Sequence, residues 1–166
     1  LLSRSDVDPN SKTSRGNTPF LHASITGEGG TAKLFLNLDN FDPNIANNDG
    51  RTSLSFAAEF GHIGIVEMLL AMDNIDLNPV DEDSNTPILW AAAGAWYGEI
   101  VKGAGRAEIV KLLLDCKGIN RNQVNNKEHT LLHMAVKGGR EEVVMLLLER
   151  GESDLNARDL SGATPL

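Results

Sequence analysis

Few residues in this chain have the types and spacing to do chemistry, and their context argues against most of it. His129 and His133 are four apart, the spacing at which two imidazoles on one continuous helix can share a metal. Thr130, between them, reads as the opening of a helix, so the two rings need not share a face. Cys116, the single cysteine, lies well away in the sequence pattern, and four-coordinate zinc needs more ligands than these. Asp81-x-Asp83-x-Asn85 imitates the start of a calcium loop. The glycine that loop requires is Thr86 here, and its closing glutamate is Ala92, so the segment reads as a solvated acidic turn. Gly103-x-Gly105 lacks the third glycine and the preceding strand of a dinucleotide fingerprint and reads as a hinge. No Ser-His-Asp or Cys-His set shows ordered spacing. The expectation is a chain with no catalytic residues, no cofactor and no bound metal: not an enzyme.

Composition narrows the partner. Hydrophobic residues make up 41% of the 166 and charged residues 23%, ordinary proportions for a folded domain. A net charge of −8 argues against a nucleic-acid backbone or an anionic membrane. The longest apolar stretch, 88–97, is too short to span a bilayer, and no leader is visible. A single cysteine allows no internal disulfide, which points to an intracellular, cytoplasmic setting.

Thr18, Thr52, Thr86, Thr130 and Thr164 stand in the same local context, at spacings of 34, 34, 44 and 34. The chain therefore divides into a partial repeat 1–9, repeats of about 10–43, 44–77, 78–121 and 122–155, and a partial repeat 156–166. The third repeat carries a ten-residue insertion near 95–104. A period of this length signals a solenoid rather than a globular core. Eight residues before each threonine is an asparagine: Asn10, Asn44, Asn78, Asn122 and Asn156. Between asparagine and threonine the chain is polar and turn-forming, as in Asn47-Asn48-Asp49-Gly50, which reads as a hairpin-like excursion.

Each threonine then opens a helix, its hydroxyl placed to accept an orphan backbone N–H. Pro19, Pro87 and Pro165 follow at the one helical position that needs no N–H. Ala23, Ala57, Ala91 and Ala135 allow close approach of a neighbour, and Gly27, Gly61 and Gly139 end the helix in a left-handed cap. A second helix follows, with one apolar face at i, i+3, i+4: Ala32, Phe35, Leu36; Val66, Leu69, Leu70; Val110, Leu113, Leu114; Val144, Leu147, Leu148. Helices this short are not stable alone, so stacked repeats must cover each other's faces.

The order asparagine, turn, Gly-x-Thr-Pro-Leu, Ala-Ala, Gly-His, Ile-Val, Leu-Leu resembles the ankyrin repeat over essentially the whole chain. The best matches are Asp49-Gly50-Arg51-Thr52-Ser53-Leu54 with Ala57-Ala58 and Gly61-His62, and the run Glu108 to Leu114. The wording of the second repeat looks most like arrays of filamentous fungi. The resemblance implies an all-α solenoid of stacked helix-turn-helix units with hairpin-like loops. It departs from the family in two ways. The helix-opening histidine is present only as His133, with Leu21, Ser55 and Leu89 at the matching positions, and the hairpin glycine is replaced by Ser84 and Glu128. Those two turns need another way to reverse.

Leu1-Leu2 align with the tail of a second helix, and Thr164-Pro165-Leu166 with the start of a first one. This predicts a fragment of a longer protein whose end faces expose apolar side chains such as Phe20 and Val144, inviting end-to-end self-association.

In the family, the hairpin tips and the inner face of the first helix form a concave groove. Carried over by position, the partner-binding set is Arg15, Asn17, Asn48, Asp49, Arg51, Glu59, Phe60, Glu82, Asp83, Asn85, Lys127, His129 and Lys137. Trp96 and Tyr97 in the insertion join it, because aromatic residues are enriched at interaction hot spots; the alternative is that both rings pack back on Ile100 and Val101. The groove is acidic in the third repeat and more basic in the fourth. The leading expectation is a protein–protein interaction module within a larger scaffold or signalling protein, whose partner is another protein or another domain of the parent chain. A structural spacer is the alternative. A ligand or enzyme site in a closed pocket of Trp90, Trp96 and Tyr97 is a remote third.

Overall fold

The protein was analysed as a computed structural model that describes residues 8–94 and 105–166. The insertion, with Trp96 and Tyr97, lies outside the described residues. So do Leu1 and Leu2.

Eight helices are present among the described residues, with no strand. They come in pairs: α1 (Pro19–Thr26) and α2 (Gly29–Phe35), α3 (Ser53–Phe60) and α4 (Ile63–Leu70), α5 (Pro87–Ala93) and α6 (Arg106–Asp115), α7 (Leu131–Lys137) and α8 (Glu141–Arg150). The first helices pack on one another in the order α1, α3, α5, α7, and the second helices in the order α2, α4, α6, α8. The two layers enclose one continuous core. The recurring alanines lie within it: Ala57, Ala91 and Ala135 are wholly buried, so a larger side chain would push neighbouring first helices apart.

The threonine caps form at three helices. Thr18 accepts from the Leu21 N–H, Thr52 from Ser55 and Thr130 from His133. Thr86 departs from the expectation: its hydroxyl caps nothing and is buried without a partner. Gly27 and Gly61 are left-handed caps as expected. On α7 the cap itself is Gly138, in right-handed geometry, and Gly139 makes the left-handed turn one residue later.

The second helices bury Ala32, Val66, Leu69, Val110, Leu113, Leu114 and Leu147 as the spacing predicts. On α8 Val143 is buried, Val144 is half-buried, and Leu148 is exposed because nothing among the described residues packs on its outer side. At the other end Phe20 is a correction. It is buried in an aromatic cluster with Phe35 and Phe41, at centroid distances of 6.0 and 4.8 Å, and so is not an exposed end-face residue.

Three sets of side-chain or backbone bonds pin the stack, the first closing each repeat on its own far end and the other two joining neighbouring repeats. The recurring asparagine is the first. Asn44 donates through Nδ2 to the Asn74 carbonyl and accepts the Asp76 N–H, both at 2.8 Å. Asn10 makes the same pair with Asn40 and Asp42. Asn78 makes it with Gly118 and Asn120 across the insertion, at 2.8 and 2.7 Å. In the fourth repeat Asn122 donates no such bond; Arg121 instead pairs with Glu152 at 3.0 Å and donates to the Leu114 carbonyl.

The second tie is at the end of each first helix, where carbonyls lack intrahelical donors. His62 meets the Ile25 carbonyl at 3.2 Å, Arg106 donates to Glu59 O at 2.9 Å and Arg140 to Ala93 O at 3.2 Å. These three residues hold equivalent positions, ten after the threonine once the insertion is discounted. Cations there also suit the negative end of the helix dipole. The third tie joins the hairpins.

Candidate functional site

Each hairpin is locked by the side chain five residues before its threonine. Asn47, Asp81, Asn125 and Asp159 each accept two backbone N–H groups from the turn that follows, as Thr13 accepts one. This local bonding holds the reversal in place. The next turn residue is left-handed in all five hairpins: Gly16, Gly50 and Gly162, but also Ser84 at φ 61° and Glu128 at φ 59°. The two substituted hairpins therefore use the same turn, not another one. Their Asp81 and Asn125 bonds offset a backbone strain of about 1–2 kcal/mol.

Successive hairpins then bond to each other. The backbone N–H of Asn48 donates to Arg15 O, Glu82 to Asp49 O, Asn126 to Asp83 O and Leu160 to Lys127 O, at 2.9 to 3.1 Å. Asn48 and Asn126 add side-chain bonds to Ser14 O and Glu82 O. The tips thus form a ladder whose side chains stand in fixed order along one edge. Arg15, Asn48, Asp49, Glu82, Asp83 and Lys127 are exposed there, acidic in the second and third hairpins and basic at the first and fourth.

Behind the tips runs a row of Phe56, Trp90 and Met134, each four residues after its threonine, of which only Trp90 figures in a sequence expectation, as part of the remote ligand pocket. These sit on the first helices facing the hairpins. The Arg51 guanidinium lies between Phe56 and Trp90, 3.9 and 4.1 Å from the two ring centroids, and pairs with Glu59 at 2.5 Å. The Trp90 indole N–H donates to Asp81 at 2.8 Å. Trp90 is therefore fixed toward the third hairpin.

Several members of the expected partner-binding set are turned inward by these contacts. Glu59, only 4% exposed, and Arg51 neutralise each other within the row, since a buried carboxylate requires a partner. Asn85 is buried and accepts from Asn125 Nδ2 at 2.9 Å. Asn17 is half-buried, its carbonyl oxygen without a partner. Phe60 is half-buried, stacked on Phe56 at 6.4 Å and near His62. A periodic pattern gives position but not which way a charged side chain turns, and that explains the difference.

Beyond Trp90 the row opens into a groove of about 410 Å³. Trp90 and Met134 form its apolar floor, and Asp83, Asn126, Lys127, Lys137 and Leu160 line it around them. Leu160, in the fifth hairpin, is 66% exposed at the rim. His129 and His133 do stand together: their rings stack at 5.8 Å and 27°. His133 donates through Nε2 to the Ala163 carbonyl, which leaves Nδ1 to accept from Thr130. This is the threonine–histidine network of the helix opening, complete in the fourth repeat and replaced in the second by Thr52 and Ser55 hydroxyls at 3.3 Å. His129 lies between Lys137 Nζ, 2.5 Å from its Nε2, and Asp159 Oδ2 at 3.3 Å. Burial, then the Lys137 charge, lowers its pKa, while Asp159 opposes them. Asp159 is held well below the usual carboxylate range, first by the Ser161 hydroxyl and also by the Ala163 and Ser161 N–H groups and Lys137. Burial pushes the Cys116 thiol up, away from reactive thiolate character. Among the described residues no group of three or more His, Cys, Asp or Glu could hold a metal ion, and no helix is long and apolar enough to cross a membrane.

Comparison with known proteins gives a consistent result. The family model for ankyrin repeats matches three times, over residues 1–81, 33–103 and 99–166. An ankyrin repeat-containing protein of Schizosaccharomyces pombe is 39% identical over 62 residues, 37% of this chain. The match spans 29% of that relative's length.

Proposed function

The chain belongs to the ankyrin repeat family, whose members are generally protein–protein interaction modules, and from that premise we propose that it binds a protein partner along the hairpin ladder and the groove behind it. The observation that supports this most is the groove floor. Trp90 and the largely buried Met134 line it beside exposed charges of both signs, and Arg51 and Asp81 hold the Trp90 ring in place. A preorganised patch with an apolar anchor and a polar rim is what binding energy requires. The stripe of Asp49, Glu82 and Asp83 beside Lys127 favours a partner with the opposite order of charge and sets its register. The partner is another protein or another domain of the parent chain, and Trp96 and Tyr97 of the insertion extend the contact.

The test is affinity capture with the chain as bait, comparing Asp83→Lys and Lys127→Glu with a back-layer control, Lys111→Glu. A bound protein lost from both groove variants and kept by the control supports the proposal. Equal binding by all three places the contact on another face and overturns the groove reading, and no binding by any favours a structural spacer instead.

A further inference from the structure

Resting on the groove reading above, we infer that the end of the groove between the fourth and fifth hairpins takes an acidic segment of a protein partner, and that protonation of His129 opens it by releasing Lys137. The inference starts from one atom. His129 Nε2 is 2.5 Å from Lys137 Nζ and 3.3 Å from Asp159 Oδ2, and Lys137 Nζ is itself 3.3 Å from Asp159 Oδ2. Nε2 has room for one bond in this plane. An ammonium has donors and no acceptor, so a hydrogen bond between the two requires the lone pair of a neutral imidazole on Nε2, which accepts a Lys137 N–H. Asp159 Oδ1 is already saturated by the Ser161 N–H, the Ser161 hydroxyl and the Ala163 N–H. Only Oδ2 is left, and Lys137 holds it.

Adding a proton to Nε2 reverses the arrangement. The imidazolium N–H donates to Asp159 Oδ2 and has no lone pair there for Lys137. Two cations 2.5 Å apart repel, and Lys137 is the one free to move: its side chain is 42% exposed, whereas His129 is 10% exposed and stacked on His133. The ammonium therefore swings into the groove. The proton taken up from solvent raises the net charge of the three groups by one. Before protonation the neutral His129 and the Lys137–Asp159 pair sum to zero. Afterwards the His129–Asp159 pair is neutral and Lys137 stands free.

The other groups facing this point are His133, bound to Thr130 and Ala163, Lys127 on the same hairpin, and Asp83 across the groove. Lys127 and a released Lys137 then line the groove together beside the Trp90–Met134 floor. That combination fits an acidic stretch carrying one apolar side chain. The resting state supports the direction of the switch, because burial and Lys137 both favour neutral His129.

The experiment has two arms on the whole chain. Side-chain resonances of the His129 ring and the Lys137 ε-methylene are followed by NMR from about pH 7.5 to about pH 5.5. One shared midpoint is expected, and a Lys137 signal indifferent to His129 titration overturns the switch. In the second arm a labelled aspartate-rich decapeptide with a central leucine is titrated by fluorescence anisotropy at both pH values. Binding about threefold tighter at the lower pH is expected, the size of one half-exposed ion pair. The gain should vanish in His129→Gln and in Lys137→Gln, neither of which removes a core side chain. A pH response that survives in His129→Gln overturns the gate. Coupled titration with no peptide bound at either pH overturns the acidic-segment assignment, while the broader groove reading still stands or falls by the charge-reversal capture.

Discussion

The second and third repeats carry the same positions but hold them by different means. In the second, Thr52 caps α3, Gly50 makes the left-handed hairpin turn, and α3 passes to α4 through Gly61 and His62. Gly50 also needs its missing Cβ, which would stand 3.0 Å from the Asp81 Cα. In the third, the Thr86 hydroxyl is buried and unpaired, Ser84 takes the left-handed turn without glycine's freedom, and ten extra residues separate α5 from α6. Yet both repeats stack in the same register. Asn78 closes its repeat as Asn44 does, and Arg106 reaches the preceding repeat as His62 does, with ten residues skipped. The same bonds, within a repeat at the asparagine and between repeats at the helix end, recur on both sides of the insertion. The length of the chain between two helices matters little when both ends of it are pinned.

That comparison can be broken at four points. The largest effect is expected from Arg106→Ala. Arg106 is 3% exposed, and its loss strands the Glu59 carbonyl at the end of α3 and removes a buried charge facing Glu59. We expect a loss of about 3 kcal/mol in denaturant unfolding, against about 1 kcal/mol for the half-buried His62→Ala at the equivalent place. Equal losses would mean that the insertion does not concentrate load on Arg106.

Asn78→Ala should cost about 1–2 kcal/mol, for two lost bonds across the insertion. Asn122→Ala, where the tie is absent, should stay within about 0.5 kcal/mol. The same unfolding measurement separates them, and a large Asn122 effect would contradict the idea that Arg121 has taken over its task.

The caps give the sharpest sign difference. Thr52→Val removes a helix cap and should destabilise by about 1 kcal/mol. Thr86→Val replaces an unpaired buried hydroxyl with a methyl group and should be neutral or stabilising by about 1 kcal/mol. Thermal melts of the two variants decide it.

The smallest effect is a pH dependence. His129 has a lowered folded-state pKa, so below its unfolded value of about 6.5 the unfolded chain binds the extra proton more readily. Stability should therefore fall as pH drops from about 6.5, with His129→Gln showing a flatter profile in that range. Asp159, also lowered, adds a loss at more acid pH, once pH drops below the ordinary carboxylate value. A profile unchanged by His129→Gln would count against both the burial effect and the switch.

Much of this architecture was legible without coordinates. The threonine spacing defined the repeats, the alanines and the i, i+3, i+4 rows gave the core, and Asx chemistry gave the hairpins. Those features follow from local backbone rules, which act within a few residues. The candidate site was legible only in outline. The tips Arg15, Asn48, Asp49, Glu82, Asp83 and Lys127 are exposed as their positions imply. Arg51, Glu59 and Asn85 are turned inward, because each found a partner on its own or an adjacent repeat.

The sequence by itself determined the period, the two-helix unit, the site and size of the insertion and the family. Periodicity and capping are properties of short segments and need no knowledge of what packs where. Tertiary structure alone decided which threonine lost its cap, that Arg106 and Arg140 do the work of His62, and that His129, Lys137 and Asp159 meet around one nitrogen. Those outcomes depend on distances between residues 8 to 47 positions apart, which folding fixes and the linear pattern does not carry.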